Sequence, residues 1–334
     1  ITRAAPGGRP LGSRSVSESL SLRCDRGGVE NPWPHRLAVI TAGATFLLIL
    51  AGGLVTNTGA GLAVPDWPTT FGYNMFLYQW SKMVGGIFYE HSHRLIGSVV
   101  GLLTLTLTLV LWAVEPRRWL RWLGATALFA VIIQGVLGGL RVILLQETLA
   151  IVHGALAQAF FGLTAALALF TSREWKAEPI PLPGEGSGHL FWLAALTTGA
   201  IYLQLVVGAL LTHVGARLDA HLLLATLIAI LVPNLAVRIL ARHADRPGLV
   251  RPAIVLCGLL VLQLLLGLGS YAHRFTSLEL PLVSSLGLAL PVGHRLTGGL
   301  MLVTSLVVTL RVHRLLGLPT PAGYRGRVPG RVPA

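Results

Sequence analysis

Long apolar runs alternate with short polar stretches from about residue 36 to residue 312, and eight of them reach the length of about 20 residues that crosses a bilayer core. They predict helical spans at 36–56, 93–114, 121–141, 151–171, 190–211, 220–240, 250–270 and 292–312. Nothing in the pattern calls for strands, so the chain reads as an all-α integral membrane protein with eight transmembrane helices. The longest polar interruption, 55–92, contains Val64-Pro65-Asp66-Trp67-Pro68 and the aromatics Phe71, Tyr73, Tyr78 and Trp80. Its prolines break any continuous helix and its aromatics suit a membrane surface, so it is expected to form a structured lid.

The end of the first span recurs. Gly52 to Leu62 matches Gly208 to Leu218, at the end of the fifth span, at six of eleven positions. This predicts two pseudo-symmetric four-helix bundles made by internal duplication. The expected organisation is a cytoplasmic tail (1–35), a first half (36–172) with its outer loop at 55–92, a linker (173–189), a second half (190–312) and a cytoplasmic tail (313–334). The Arg- and Ser-rich stretch 1–35 lacks the apolar core of a signal peptide; an organellar presequence is the other reading. Gln134 with Gly138, Gln204 with Gly208, and Gln263 with Gly267 form a second recurring mark. Residues four apart share a helix face, so these pairs are expected to be a packing seam, with a role beside a cofactor as the second reading.

Charge sets the orientation. The chain has 26 Lys and Arg against 13 Asp and Glu, a formal net charge of +13. With the N-terminus inside, 20 of the 26 basic residues fall in cytoplasmic segments, which accounts for the basic character without a nucleic-acid partner. The two cysteines, Cys24 and Cys257, are not expected to pair.

In this orientation every even-numbered span starts on the outer side, and each starts with a histidine: His93, His153, His221 and His294. Polar groups at membrane depth are costly and usually functional. Imidazole-only zinc or copper sites usually need three or four ligands, with no Cys or carboxylate cluster here to complete one. Haem iron needs two axial nitrogens, and an apolar bundle with glycine gaps accommodates a flat macrocycle, so paired histidines in each half favour two porphyrin sites. Arg94 and Arg295, each following a histidine, are candidates for haem propionates or for lipid headgroups. Glu90 precedes His93 by three residues and has no counterpart before His294, which makes the first half the catalytic candidate. The other reading of Glu90 is a loop carboxylate paired with Lys82 or Arg94. His91 is expected to face elsewhere, although it is close enough in sequence to substitute for His93.

Taken together, Gly52 to Leu62 leading into Asp66-Trp67, Glu90-x-x-His93-Arg94, His153-Gly154, His221 and Gly293-His294-Arg295 resemble the haem A synthase family (Cox15/CtaA) over residues 36 to 312. The resemblance implies oxidation of the C8 methyl group of haem O to the formyl group of haem A, destined for haem-copper terminal oxidases. It implies that His93 and His153 hold the substrate haem, that Glu90 is required for the chemistry, and that His221 and His294 ligate a haem b that passes electrons. The implied partners are haem O and haem A, membrane lipid, an electron acceptor, a protoheme farnesyltransferase, oxidase assembly factors and a second copy of the chain. Its implied location is the bacterial plasma membrane with both termini cytoplasmic, the mitochondrial inner membrane standing second. Some bacterial members carry a cysteine pair in an outer loop; this sequence has none there.

Two other readings differ in class. A di-haem b electron-transfer cytochrome explains four histidines but leaves Glu90 and the long loop without a task. A transporter with duplicated halves would call for broken helices or mid-membrane charges, which the spans do not show clearly.

Overall fold

A computed structural model of the chain describes residues 1–2, 31–177, 187–276 and 286–316. Expectations for Cys24, most of both tails and most of the linker lie outside the described residues. The described residues from Trp33 onward belong to one compact unit. Each predicted span lies inside a helix long and apolar enough to cross a membrane: α1 Trp33–Asn57, α2 Gly86–Val114, α3 Arg118–Leu144, α4 Glu147–Thr171, α5 Ser187–Val214, α6 Leu218–Arg242, α7 Pro247–Phe275 and α8 Ala289–Leu316. No strand occurs among the described residues, and the chain is an all-helical integral membrane protein.

The helices overrun their hydropathy limits, furthest at the start of α2, which begins at Gly86 rather than near 93. Its first turns carry Tyr89-Glu90-His91-Ser92-His93-Arg94. These side chains are polar because they face protein rather than lipid, so hydropathy falls where the helix does not. The helix starts immediately after Gly85, whose φ of +56° a residue with a side chain rarely adopts.

Packing follows a simple order. α1 to α4 close a ring in which each helix touches the next and α4 returns to α1; α5 to α8 do the same. α4 and α8 touch each other, and α4 meets α5 while α8 meets α1, so these four form the seam. Buried hydroxyls inside the rings are satisfied by the helices themselves: Thr41, Thr45 and Thr104 each donate to the carbonyl four residues back at 2.7 Å. Some also join neighbours. Thr108 Oγ1 donates to Gly124 O of α3 at 2.9 Å, and Thr198 of α5 bonds Ser305 and Thr309 of α8 at 2.7 and 2.9 Å.

The loop between α1 and α2, residues 58–85, is folded. The Asp66 carboxylate accepts from Phe71 N–H at 2.7 Å, Gly72 N–H at 2.8 Å and Thr69 Oγ1 at 2.5 Å, closing a turn with Phe71 and Gly72 at positive φ. Although partial burial pushes this carboxyl up, those hydrogen bonds hold it below the ordinary carboxylate value. Trp67 lies flat against α3, where a β-carbon on Gly139 would come within 2.2 Å of its ring. At the opposite end of the bundle, Arg117 clasps Glu115 through Nε at 2.7 Å and Nη2 at 3.0 Å and also donates to Phe170 O of α4. Glu174, in the single turn Arg173–Lys176, accepts from Arg311 of α8 at 2.6 Å.

Candidate functional site

His93, His153, His221 and His294 lie near the N-terminal ends of α2, α4, α6 and α8, and each ring rests on a glycine of the preceding helix. A β-carbon on Gly52 would stand 3.1 Å from Cε1 of His93, one on Gly138 3.3 Å from His153, one on Gly208 3.3 Å from His221, and one on Gly267 2.9 Å from His294. Real β-carbons seldom approach so closely, so each glycine is the gap into which its histidine fits. The residue seven beyond the glycine is left-handed in three of the four cases: Gly59 at φ +68°, Leu145 at +54° and Gly215 at +71°. There the odd-numbered helix has ended and the chain turns towards the next one.

The four imidazoles form two facing pairs. His93 and His153 have ring centroids 6.5 Å apart at an interplanar angle of 82°, and His221 and His294 lie 6.2 Å apart at 58°. Metal–imidazole bonds of about 2.0–2.1 Å place two rings that hold one metal from opposite sides roughly 6 Å apart, centre to centre. Both pairs meet that spacing. Nδ1 of His93 and of His221 is buried without a hydrogen-bond partner. Among the described residues no group of three or more His, Cys, Asp or Glu side chains could hold a metal ion, so each site is a pair. Two opposed imidazoles over glycine gaps in an apolar bundle suit a group that brings its own equatorial ligands, which is what a haem does.

Three of the histidines touch the glutamine four residues before their glycine. Gln204 Nε2 lies 3.3 Å from His221 Nε2 and donates to His221 O at 3.0 Å. Gln263 Nε2 lies 3.3 Å from His294 Nε2, while His294 Nδ1 meets Gln263 O at 3.2 Å. With its amide turned so that nitrogen and oxygen each meet a complementary partner, Gln134 Nε2 donates to His153 Nδ1 at 2.9 Å and to His153 O at 3.2 Å. Sequence reasoning treated these glutamines chiefly as a packing seam. The structure brings them to the histidines instead, and their constant four-residue offset from Gly138, Gly208 and Gly267 was the signal.

Glu90 is 4% exposed. Its Oε2 accepts from Val64 N–H and its Oε1 from Arg94 Nη2, both at 2.8 Å. Arg94 also donates to the carbonyl oxygens of Asp66 at 2.6 Å, Val64 at 2.9 Å and Thr69 at 3.1 Å. The two residues therefore fasten the 58–85 loop to α2, one turn before and immediately beside His93. An exposed loop contact with Lys82 or Arg94 was the second reading of Glu90; the partner is Arg94, and the pair is buried. His91 turns away from His153: 1% exposed, it bonds Thr70 Oγ1 at 3.1 Å and packs on Tyr78 at 5.3 Å.

Two other arginines approach the sites with less to hold them. Arg295 crosses from α8 to α1, where its one described hydrogen bond is to Thr56 Oγ1 at 3.3 Å. Arg141, near the end of α3, makes its one described bond to Gly61 O at 3.3 Å, and Gly61 has no side chain to obstruct it. Arg141 was not singled out in the sequence; a charged residue three positions beyond Gly138, at membrane depth, was the available sign.

Residues 35–220 match the model of the family COX15-CtaA, described as cytochrome oxidase assembly protein, and include Glu90, His93, His153 and Gln204. The chain is 31% identical over 189 residues to a protein named Heme A synthase from Shouchella clausii, covering 55% of this chain and 60% of that relative. It is 24% identical over 189 residues to Heme A synthase from Geobacillus kaustophilus, covering 54% and 56%, and 29% identical over 189 residues to Heme A synthase from Exiguobacterium sibiricum, covering 54% and 61%. The matches thus span a little over half the length of these relatives. With more than half of its length matched, this chain belongs to the COX15-CtaA family.

Proposed function

We propose that the protein is a haem A synthase, an oxidoreductase of the membrane that converts the C8 methyl group of haem O, through hydroxylation, to the formyl group of haem A. The observation that carries this reading is the presence of two facing histidine pairs of like spacing, of which His93 and His153 alone stand beside the Glu90-bound loop. Two equal electron-transfer haems would have no use for that difference. The names of the relatives point the same way.

In this reading the two helical rings are the two halves of a duplication. His93 and His153 hold the substrate haem O, and His221 and His294 hold a resident haem b. The bound porphyrins supply the redox chemistry, and the chain positions them, shields them from water and places charge beside them. Arg295 and Arg141, with most of their guanidinium donors unused by the described residues, meet propionate carboxylates. Arg94, a sequence candidate for that task, is assigned to the loop that it already binds. Glu90 stabilises positive charge that develops at the carbon being oxidised, an electrostatic contribution strengthened by its water-poor position. The termini face the cytoplasm of a bacterial cell, an electron acceptor completes the oxidation, and the farnesyltransferase that makes haem O and oxidase assembly factors are its neighbours in the membrane.

The test is co-expression with a haem O-producing farnesyltransferase, followed by extraction and identification of the membrane haems by chromatography and mass. Haem A or its hydroxymethyl precursor, absent from an empty-vector control, is the expected result. Haems B and O alone, with folded protein that carries haem b and a competent electron acceptor present, would sink the synthase reading in favour of the electron-transfer cytochrome.

A further inference from the structure

One stretch of the 58–85 loop joins α2, which carries His93, to α3, which seats His153. On one side α2 holds it: Arg94 donates to the carbonyl oxygens of Val64, Asp66 and Thr69, Glu90 accepts from Val64 N–H, and His91 bonds Thr70. On the other side the loop rests on α3. Trp67, in the middle of the held segment, lays its fused ring over Gly139, where a β-carbon would overlap Cδ2, Cε2 and Cε3, and Arg141 donates to Gly61 O. Both α3 contacts fall within three residues of Gly138, the gap that receives His153. The second half is built differently. Leu268, next to Gly267, stands where the first half has Gly139 and is exposed, and α5 and α6 are joined by Gly215, Ala216 and Arg217 alone.

The outer end of α3 needs outside support. Gly135, Gly138 and Gly139 fall within five residues there, and glycine weakens a helix because it loses more conformational freedom than any other residue on being ordered. Helix ends also fray. We propose that Trp67 is a positioning residue for the first histidine pair: held from α2 and pressed on Gly139, it fixes the glycine gap that seats His153 opposite His93, so that this pair reaches its ligating geometry only with the loop docked. This rests on the haem reading above and makes the long loop part of the ligand scaffold of one site, in addition to its place beside Glu90.

The experiment titrates purified full-length protein in detergent with haemin and follows the bound ferric haem by low-temperature electron paramagnetic resonance. The low-spin signal lost in His153→Ala marks the first pair, and the signal lost in His294→Ala marks the second. Trp67→Ala is expected to weaken haemin binding at the first pair by about tenfold or more, the range seen when a ligating histidine loses its support, and to shift that signal alone. Trp67→Phe, which keeps a flat ring over Gly139, is expected to restore most of the affinity. Gly139→Ala, which pushes the indole off α3, should reproduce the loss and, combined with Trp67→Ala, add nothing to it; alone, it carries the test should Trp67→Ala not fold. Unchanged binding and signal at the first pair in the folded variants, an equal loss at both pairs, or additive losses in the double variant would overturn the proposal and leave the haem reading standing. If the wild-type protein gave no low-spin signal that depends on His153 or His294, the haem reading itself would fall, and this proposal with it.

Discussion

Glu90 and Arg94 sit one helical turn apart on α2, joined at 2.8 Å, and both reach out of the helix to the same loop residue, Val64. This makes the pair a fastener between the loop and the helix that carries His93. Removing one partner of a buried, hydrogen-bonded ion pair strands the other, at a cost of about 3–5 kcal/mol. Arg94→Ala and Glu90→Ala are each expected to lower stability by about that amount. The double variant should cost much less than the sum, as read from thermal unfolding in detergent, while additive losses would mean the two act separately.

Glu90→Gln separates fastening from chemistry. The amide retains an acceptor for Val64 N–H but not the charge, so the loop is expected to stay closed to protease while conversion of haem O falls by two orders of magnitude or more. Unchanged conversion would remove Glu90 from the proposed chemistry.

Glycines beneath histidines should be far less tolerant than glycines elsewhere in the same helices. Gly267→Ala places a methyl group 2.9 Å from His294 Cε1, which forces the ring to move, and is expected to reduce the content of the haem proposed to bind there by about tenfold, within the range seen when a ligand loses its support. Gly43 has nothing within 4 Å of its β-carbon position, so Gly43→Ala is expected to be neutral or to stabilise α1 by up to about 1 kcal/mol. Haem absorbance and unfolding temperature read both.

The Asp66 turn should respond to acid. Its carboxyl is held below 3.8 in the folded loop by the hydrogen bonds from Gly72, Thr69 and Phe71, so the stabilisation is present above the unfolded value and disappears as pH falls through the lower folded value. Protection of the Phe71 and Gly72 amides against hydrogen exchange, corrected for intrinsic rates, should be flat from pH 7 to about 4 and drop below that. In Asp66→Asn it should be weaker and show no such step.

Hydropathy alone located the eight helices, because in a bilayer an apolar run of sufficient length has few alternatives to a helix that satisfies its own backbone. The four histidines were legible too, since each interrupts the start of an apolar span. The limits of α2 were not. Glu90 and His91 look like loop residues by composition, and only the loop packed above them makes them interior. Spacing alone did not say which histidines face each other: His93 is 60 residues from His153, and ring closure of α1 to α4 brings them together. The same holds for Gln134, Gln204 and Gln263. A glutamine four residues from a glycine fits any helix seam, and becomes a histidine's neighbour only when the next helix lays its ring over that glycine. Spacing along one helix is a local property that sequence carries directly; contact between helices depends on how the rings close, and the tertiary structure decided that.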